Sequence, residues 1–195
     1  MDLTVLIEPK LDLPRLSQVL DEMGHLGRVH TIRGWGRKKQ AKIFEAADGF
    51  KKIGLEEFVP ASVGPLVEVI HDLHNTLPLF SDSQKRFCKP EVEGEPEELW
   101  GYNHQAASVF TGPGYFVTRL SEKEGEVVFD YRTLPSGRVA SWPEIVPNAA
   151  RLGRLVYAGM LDHVRGISTH VSIGRPEKRG QPMDTWFVLC RRDAS

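Results

Sequence analysis

The chain has 195 residues, of which 41% are hydrophobic and 26% are charged, and its formal net charge is -1. This composition is typical of a globular protein and excludes a largely disordered chain. The near-zero net charge argues against a protein built around a polyanion. The length fits one domain over residues 1–195, with room for a small subdomain.

The two cysteines, Cys88 and Cys190, are too few for a disulfide framework. Two free thiols in a reducing cytoplasm is the simpler interpretation, and a single bridge between them is the alternative. The N-terminal residues lack the charged and apolar parts of a signal peptide, and no run approaches the roughly 18 apolar residues of a membrane span. We therefore expect a cytoplasmic protein that does not enter a membrane.

Residues 1–88 predict a mainly helical subdomain. Residues 4–7 and 28–32 have the pattern of short strands, whereas Asp12 is a typical N-cap for a helix whose apolar residues follow at helical spacing. Residues 39–47 predict another short helix. Residues 64–74 fit either a helix or a strand, and their periodicity does not decide between the two.

The remainder of the chain begins with an acidic loop and then favours strands. Residues 89–98 include five glutamates and two prolines, which predicts an exposed loop. Residues 115–120 and 126–132 predict a β-hairpin. Residues 170–173 and 185–190 predict a second strand pair.

Between these strand pairs, residues 148–167 predict one long amphipathic helix that begins at Asn148. Small or apolar residues recur there at the i, i+3, i+4, i+7 spacing of one helix face. They are Leu152, Leu155, Val156, Gly159, Met160, Val164 and Ile167. The predicted fold is therefore α+β, with helices mainly in the N-terminal half and, over residues 99–195, an antiparallel sheet packed on the long helix.

Residues 149–191 resemble the closing unit of vinyl-reductase-like and haem-nitric-oxide-binding-like sensory domains. The similarity is carried by Tyr157-Ala158-Gly159-Met160 on the predicted helix and by Trp186-Phe187-Val188-Leu189 as a final hydrophobic strand. The resemblance implies a ligand-sensing module of a bacterial signalling protein. The Tyr-x-Ser-x-Arg motif of the haem-binding relatives does not occur in the sequence, so haem binding is not implied.

The leading functional hypothesis is that a small molecule or a protein partner binds between the long helix and the sheet. His163 lies on the apolar helix face, where its ring must find a hydrogen-bond partner or a ligand. Gly159 costs helix stability relative to alanine, which indicates a close approach by a strand or a ligand. Binding would change how the helix packs and thereby alter a partner or homodimer surface. The predicted ligand-binding residues are His163, Gly159, Tyr131, Trp142, Tyr102 and His104.

A second hypothesis is that the protein is an enzyme. His163 or His104 would act with Asp130 as an acid–base pair. His71 and His74 are candidate metal ligands, since they would share one face of a helix. No nucleophile-elbow, zincin, Rossmann or kinase signature occurs. No catalytic residue is therefore assigned, and the cofactor is left unknown.

A third hypothesis is nucleic-acid binding through residues 28–42, which the neutral chain as a whole disfavours. In this segment Trp35 would stack on a base, and the backbone at the start of the following helix would hold phosphates. The candidate anion-binding residues are Arg33, Arg37, Lys38 and Lys39.

Overall fold

The computed structural model describes residues 3–77, 81–105, 108–150 and 153–193, and β-strands dominate these ranges. The strands are β1 (Val69–Asn75), β2 (Asp82–Cys88), β3 (Leu99–His104), β4 (Tyr115–Leu120), β5 (Val127–Asp130), β6 (Met160–Gly166), β7 (Val171–Lys178), β8 (Gln181–Pro182) and β9 (Phe187–Arg191). The helices are α1 (Leu13–Glu22), α2 (His25–Arg33), α3 (Arg37–Ala46) and the single turns α4 (Ser108–Thr111) and α5 (Gly153–Val156).

Eight of the strands form a closed antiparallel barrel. Their order is β6-β5-β4-β3-β2-β1-β9-β7, and a further pairing between β6 and β7 completes the circle, while the two-residue β8 extends from β7. A barrel of about eight strands has an interior that side chains can fill or that can hold one small ligand. The fold therefore supplies a core and a possible binding site in the same space.

Successive side chains along each strand point alternately into the barrel interior and to its outer face. Burial along β6 alternates strictly from Met160 to Gly166. The interior is packed largely by aromatic rings, and Phe87, Phe116 and Phe129 are fully buried there. Their ring centroids lie 5.2–5.4 Å apart, which is the usual separation of packed aromatic pairs.

The lower end of the barrel is closed by residues 53–59. Phe58 inserts its ring against Phe87 and Phe129, with centroid distances of 5.3 and 5.2 Å. The guanidinium of Arg191 donates to the backbone carbonyls of Glu56 and Glu57, at 3.1 and 2.6 Å. This plug leaves the upper end, where β1 and β3 end and β2 and β9 begin, as the end that carries a cavity.

The helices α1 to α3 cover one outer side of the barrel. The carboxylate of Asp12 accepts a hydrogen bond from the backbone of Arg15 at 3.1 Å and so caps α1. Apolar residues of the three helices form one cluster with the outward side chains of β7 and β9, including Ile173, Val188 and Cys190. None of the helices in the described ranges is both long and apolar enough to cross a bilayer.

The predicted α+β fold with a long helix is wrong. Residues 153–156 form only the turn α5, Gly159 has a φ of 73°, and β6 begins at the next residue. Residues four apart share a face in a strand as well as in a helix, so Met160 and Val164 fit both patterns. Of the predicted helix face, Leu152 lies outside the described residues.

Several local predictions are confirmed and two are wrong. The Asp12-capped helix, the β4–β5 hairpin and the β7–β9 strand pair occur as predicted. Residues 28–32 lie in α2 rather than in a strand, and the first predicted strand is a 3-10 helix, Leu3–Leu6. Within residues 1–88, the ambiguous segment contributes β1, and β2 follows it, so this part of the chain includes two barrel strands.

Candidate functional site

A cavity of ≈ 340 Å³ opens at the upper end of the barrel. Its walls are mainly apolar and aromatic, and its base is polar. The walls include Tyr157, Met160, Met183 and Phe187, and the base includes Lys85, Asn103, Tyr131 and Asp162. Ligand sites in proteins commonly combine these two features in a volume of this order.

Four polar side chains meet at the base of the cavity, each from a different part of the barrel wall. Lys85 on β2 and Asn103 on β3 are direct cross-strand partners. Asp162 comes from an inward position of β6, and Tyr131 directly follows β5. We call Lys85, Asn103, Tyr131 and Asp162 the polar cluster.

The Lys85 ammonium is fully engaged within the polar cluster. Its Nζ donates to Asn103 Oδ1 at 2.8 Å, to the Tyr131 hydroxyl, and to Asp162 Oδ2 at 3.2 Å. A lysine ammonium has three N–H donors, so these three acceptors use all of them. Asn103 in turn donates through Nδ2 to the Gly114 carbonyl at 2.9 Å.

Aromatic rings surround the same ammonium. Its Nζ lies 4.9–5.3 Å from the ring centroids of Phe116, Phe129, Tyr131 and Phe187. Rings at this distance attract a cation through their quadrupole. The rings therefore offset part of the cost of burying the charge.

Burial shifts the pKa values of the polar cluster. Desolvation lowers the pKa of Lys85, and the charge of Asp162 opposes this shift. Desolvation also raises the pKa of Asp162, opposed by Lys85, and it raises the pKa of Tyr131 well above its usual value. Asn103 Oδ1 accepts from Nζ, as does the Asp162 carboxylate, and the Tyr131 hydroxyl can also accept, so an ammonium with three protons matches these surroundings and favours the ion-paired form.

One polar atom of the cluster has no hydrogen-bond partner. Asp162 Oδ2 accepts from Lys85 and lies 3.3 Å from the Tyr131 hydroxyl, but Asp162 Oδ1 is buried without a partner among the described residues. The Asp162 side chain is 2% exposed. An unpaired buried carboxylate oxygen is costly, so this atom is where a ligand would gain most from donating a hydrogen bond.

The wall beside the polar cluster is formed by Tyr157. Its ring stacks on Tyr131 with a centroid distance of 5.5 Å and an interplanar angle of 8°. Its hydroxyl accepts a hydrogen bond from Gln105 Nε2 at 2.5 Å. A Cβ on Gly114 would lie 2.5 Å from this ring, so a glycine is needed where Tyr157 packs.

Of the predicted ligand-binding residues, Tyr131 lies in the polar cluster and the others lie elsewhere. Gly159 is in the turn before β6, and His163 points outward, with Nε2 3.4 Å from Glu177 Oε2. Tyr102 and Trp142 pack against each other on the outer face of the barrel, with centroids 4.9 Å apart. His104 lies beside them, 3.3 Å from the Tyr102 hydroxyl.

The histidines and the carboxylate of the enzyme hypothesis do not converge. His71 and His74 are three apart on β1, so they face opposite sides of the strand. Asp130 is bound by Arg132 at 2.9 Å on the outer face, and this pairing helps to lower the pKa of Asp130 against the opposing effect of burial. Over the described ranges, no group of three or more His, Cys, Asp or Glu side chains is placed to hold a metal ion.

The basic segment of the nucleic-acid hypothesis is partly engaged within the chain. Trp35 is only 2% exposed in the helical core, so it is not available to stack on a base. Arg33 lies 3.4 Å from Asp82, and Arg37 pairs with Asp184. Lys38 is exposed on α3, whereas the neighbouring Lys39 is half-buried.

A cysteine, a histidine and a carboxylate lie in line beneath α2. Cys190 Sγ is 3.7 Å from His25 Nδ1, and His25 Nε2 is 2.9 Å from Asp72 Oδ2. This order resembles a nucleophile, a base and its orienting group. However, Cys190 is fully buried, and burial raises the pKa of its thiol to about 11, so a thiolate nucleophile is disfavoured.

Sequence reasoning missed Lys85, Asn103 and Asp162. Charged and amide side chains are usually exposed, so none of them stands out as an interior residue. The available signal was the alternation along residues 160–166, which places Asp162 on the same strand face as Met160 and Val164. The helix interpretation put Asp162 off the apolar face and His163 on it.

No protein family, curated protein or solved structure matches this chain. The resemblance of residues 149–191 to the sensory domains therefore stays a prediction.

Proposed function

We propose that the protein binds a small molecule with an apolar body in the cavity at the upper end of the barrel. The observation that carries this proposal is the combination of an apolar ≈ 340 Å³ cavity with a buried carboxylate oxygen that has no partner among the described residues. A filled core would leave neither the space nor the open acceptor. The long-helix mechanism is not retained, because that segment contains β6.

The geometry favours binding over catalysis by the buried lysine. A nucleophilic amine needs a free lone pair that faces the substrate. All three N–H groups of Lys85 are directed at Asn103, Tyr131 and Asp162, which describes an ammonium held in place. Lys85 therefore orients and neutralises Asp162 in this proposal.

We keep the cytoplasm as the proposed location. Cys88 and Cys190 are both buried and free, and buried free thiols are typical of reducing compartments.

A neutral fluorescent probe, N-phenyl-1-naphthylamine, tests the proposal because its emission rises in an apolar environment. We expect one equivalent to bind to the wild-type protein. Met160→Trp adds a larger ring on the cavity wall and should weaken binding at least about tenfold. Leu161→Trp is the matched control, since its side chain lies on the other face of β6.

Equal loss of probe binding in both variants would place the probe outside the cavity. Absence of saturable binding to the wild-type protein would contradict the proposal directly. Thermal melting of each variant shows whether a loss of binding is accompanied by a loss of folding.

A further inference from the structure

We infer that the ligand of the barrel cavity is a neutral molecule that donates an N–H or O–H hydrogen bond to Asp162 Oδ1. This inference rests on the proposed function and specifies the chemistry of the ligand.

The polar cluster has one open position, and that position is an acceptor. The donors of Lys85 are used, and Asn103 Nδ2 donates to Gly114 and lies 3.1 Å from the Tyr131 hydroxyl. Tyr131 can direct its single O–H to Asp162 Oδ2, at 3.3 Å. Asp162 Oδ1 is then the acceptor left for a ligand, and an ionised carboxylate has no proton to give.

Lys178 also lines the cavity, but at the base the charge balance disfavours a charged group in contact with Asp162 Oδ1. Lys85 and Asp162 carry opposite charges that offset each other across 3.2 Å. An anionic ligand would meet the carboxylate at Oδ1, and a cationic ligand would bring a second positive charge next to the Lys85 ammonium. Either charge would be buried without its own counter-charge, which is costly in an apolar interior.

The shape of the wall fits a flat apolar body above that donor. Tyr157 stacks almost parallel to Tyr131 beside the polar cluster, and Phe187 lies close to the Lys85 ammonium. Aromatic faces of this kind pack against planar apolar groups. A hydroxylated or N–H-bearing ring compound therefore matches the wall and the base together.

The test compares 2-naphthol, 2-methoxynaphthalene and 2-naphthoate by titration calorimetry at pH 7. The three compounds share one ring system, and they present a neutral donor, an acceptor only, and an anion. A hydrogen bond to a charged group contributes about tenfold or more in affinity, so 2-naphthol should bind at least about tenfold more tightly than the ether. The anion should bind more weakly than the ether.

Asp162→Asn converts the open acceptor into a donor. Its carbonyl oxygen is required by Lys85, so the amide nitrogen takes the position of Oδ1, and the preference for 2-naphthol over the ether should be lost or reversed. Asp130→Asn is the matched control on the outer face of the barrel, and it should keep the preference.

The double variant Lys85→Met with Asp162→Leu covers the case in which Asp162→Asn fails to fold. Replacing both members of a buried ion pair by apolar residues is often tolerated. This variant should bind 2-naphthol and the ether with equal affinity, with folding checked by thermal melting.

Three results would overturn the inference. They are equal binding of the alcohol and the ether to the wild-type protein, tighter binding of 2-naphthoate than of 2-naphthol, and a retained alcohol preference in the double variant. In each of these cases the cavity still binds a ligand. Failure of all three compounds and of the fluorescent probe would instead reject the proposed function.

Discussion

At the scale of single residues, the interior of the barrel holds ionisable groups at both ends, and each is held in one protonation state by its surroundings. Near the lower plug, His71 is 2% exposed and its Nε2 lies 3.0 Å from the carbonyl of Phe58. Its ring also packs on Phe58 and Phe87, with centroids 5.7 and 4.8 Å away. Desolvation is the main cause that lowers the pKa of His71, from its usual 6.5 to about 3.

This shift predicts a specific loss of stability in acid. Between pH 6.5 and about 3 the unfolded chain binds a proton at this position that the folded chain does not bind. The free energy of unfolding should therefore decrease as the pH is lowered below 6.5. This one group contributes up to about 1.4 kcal/mol per pH unit. His71→Gln keeps a donor for Phe58 and removes the titration, so it should flatten the curve measured by denaturant unfolding from pH 7 to 4. His30→Gln, on the exposed side of α2, is the control.

An unchanged slope in His71→Gln would contradict the lowered pKa of His71. Burial also lowers the pKa of His170, so His170 adds the same slope to the wild-type protein and to the variant.

Neighbouring residues on β6 show why the site was only partly predictable at this scale. The sequence analysis placed one polar side chain on the apolar face formed by residues 152–167. It selected His163 instead of Asp162, because a helix and a strand put different neighbours on the apolar face. Tyr131 is the predicted ligand-binding residue that lies in the polar cluster.

At the scale of elements, a glycine of β7 and a phenylalanine of β9 pack against each other across the two strands. Gly174 pairs directly with Phe187, and a Cβ on Gly174 would lie 2.1 Å from the Phe187 ring. The ring lies across the glycine and borders both the Lys85 ammonium and the cavity. The absence of a side chain at Gly174 thus fixes the position of one cavity wall.

Gly174→Ala should destabilise the protein by about 1–3 kcal/mol, which is typical of overpacking in a core. It should also weaken binding of N-phenyl-1-naphthylamine, because Phe187 must move. Gly64→Ala is the matched control, since a Cβ there has no atom within 4 Å. Denaturant unfolding and probe titration measure the two effects, and equal stability of the two variants would contradict this packing.

Local signals account for the elements that sequence analysis identified. Asp12 is a capping side chain, and the β4–β5 hairpin has alternating strands around a short polar loop. The segment 28–32 was predicted to be a short strand, but it lies in α2, which packs on β9. Tertiary contacts override weak local preference in such segments.

At the scale of the whole molecule, closure of the barrel creates both the stability of the sheet and the cavity. Pairing of β6 with both β5 and β7 completes the circle, and β9 lies between β1 and β7. The pairing of His71 with Arg191 joins residues far apart in the chain, and no local pattern encodes it. Because the sequence analysis assigned β6 to a helix, the predicted sheet lacked the strand that closes it, and a barrel could not follow.

Methyl NMR of the protein labelled with ¹³C at its methionine methyl groups tests binding inside the barrel most directly. Of the four methionines, Met160 and Met183 line the cavity, Met23 packs on the helical cluster, and Met1 lies outside the described residues. We predict that saturating 2-naphthol shifts the signals of Met160 and Met183 through ring currents and leaves Met23 in place. Binding detected by calorimetry with a shift at Met23 alone, or with no methionine shift, would contradict a ligand site in this cavity.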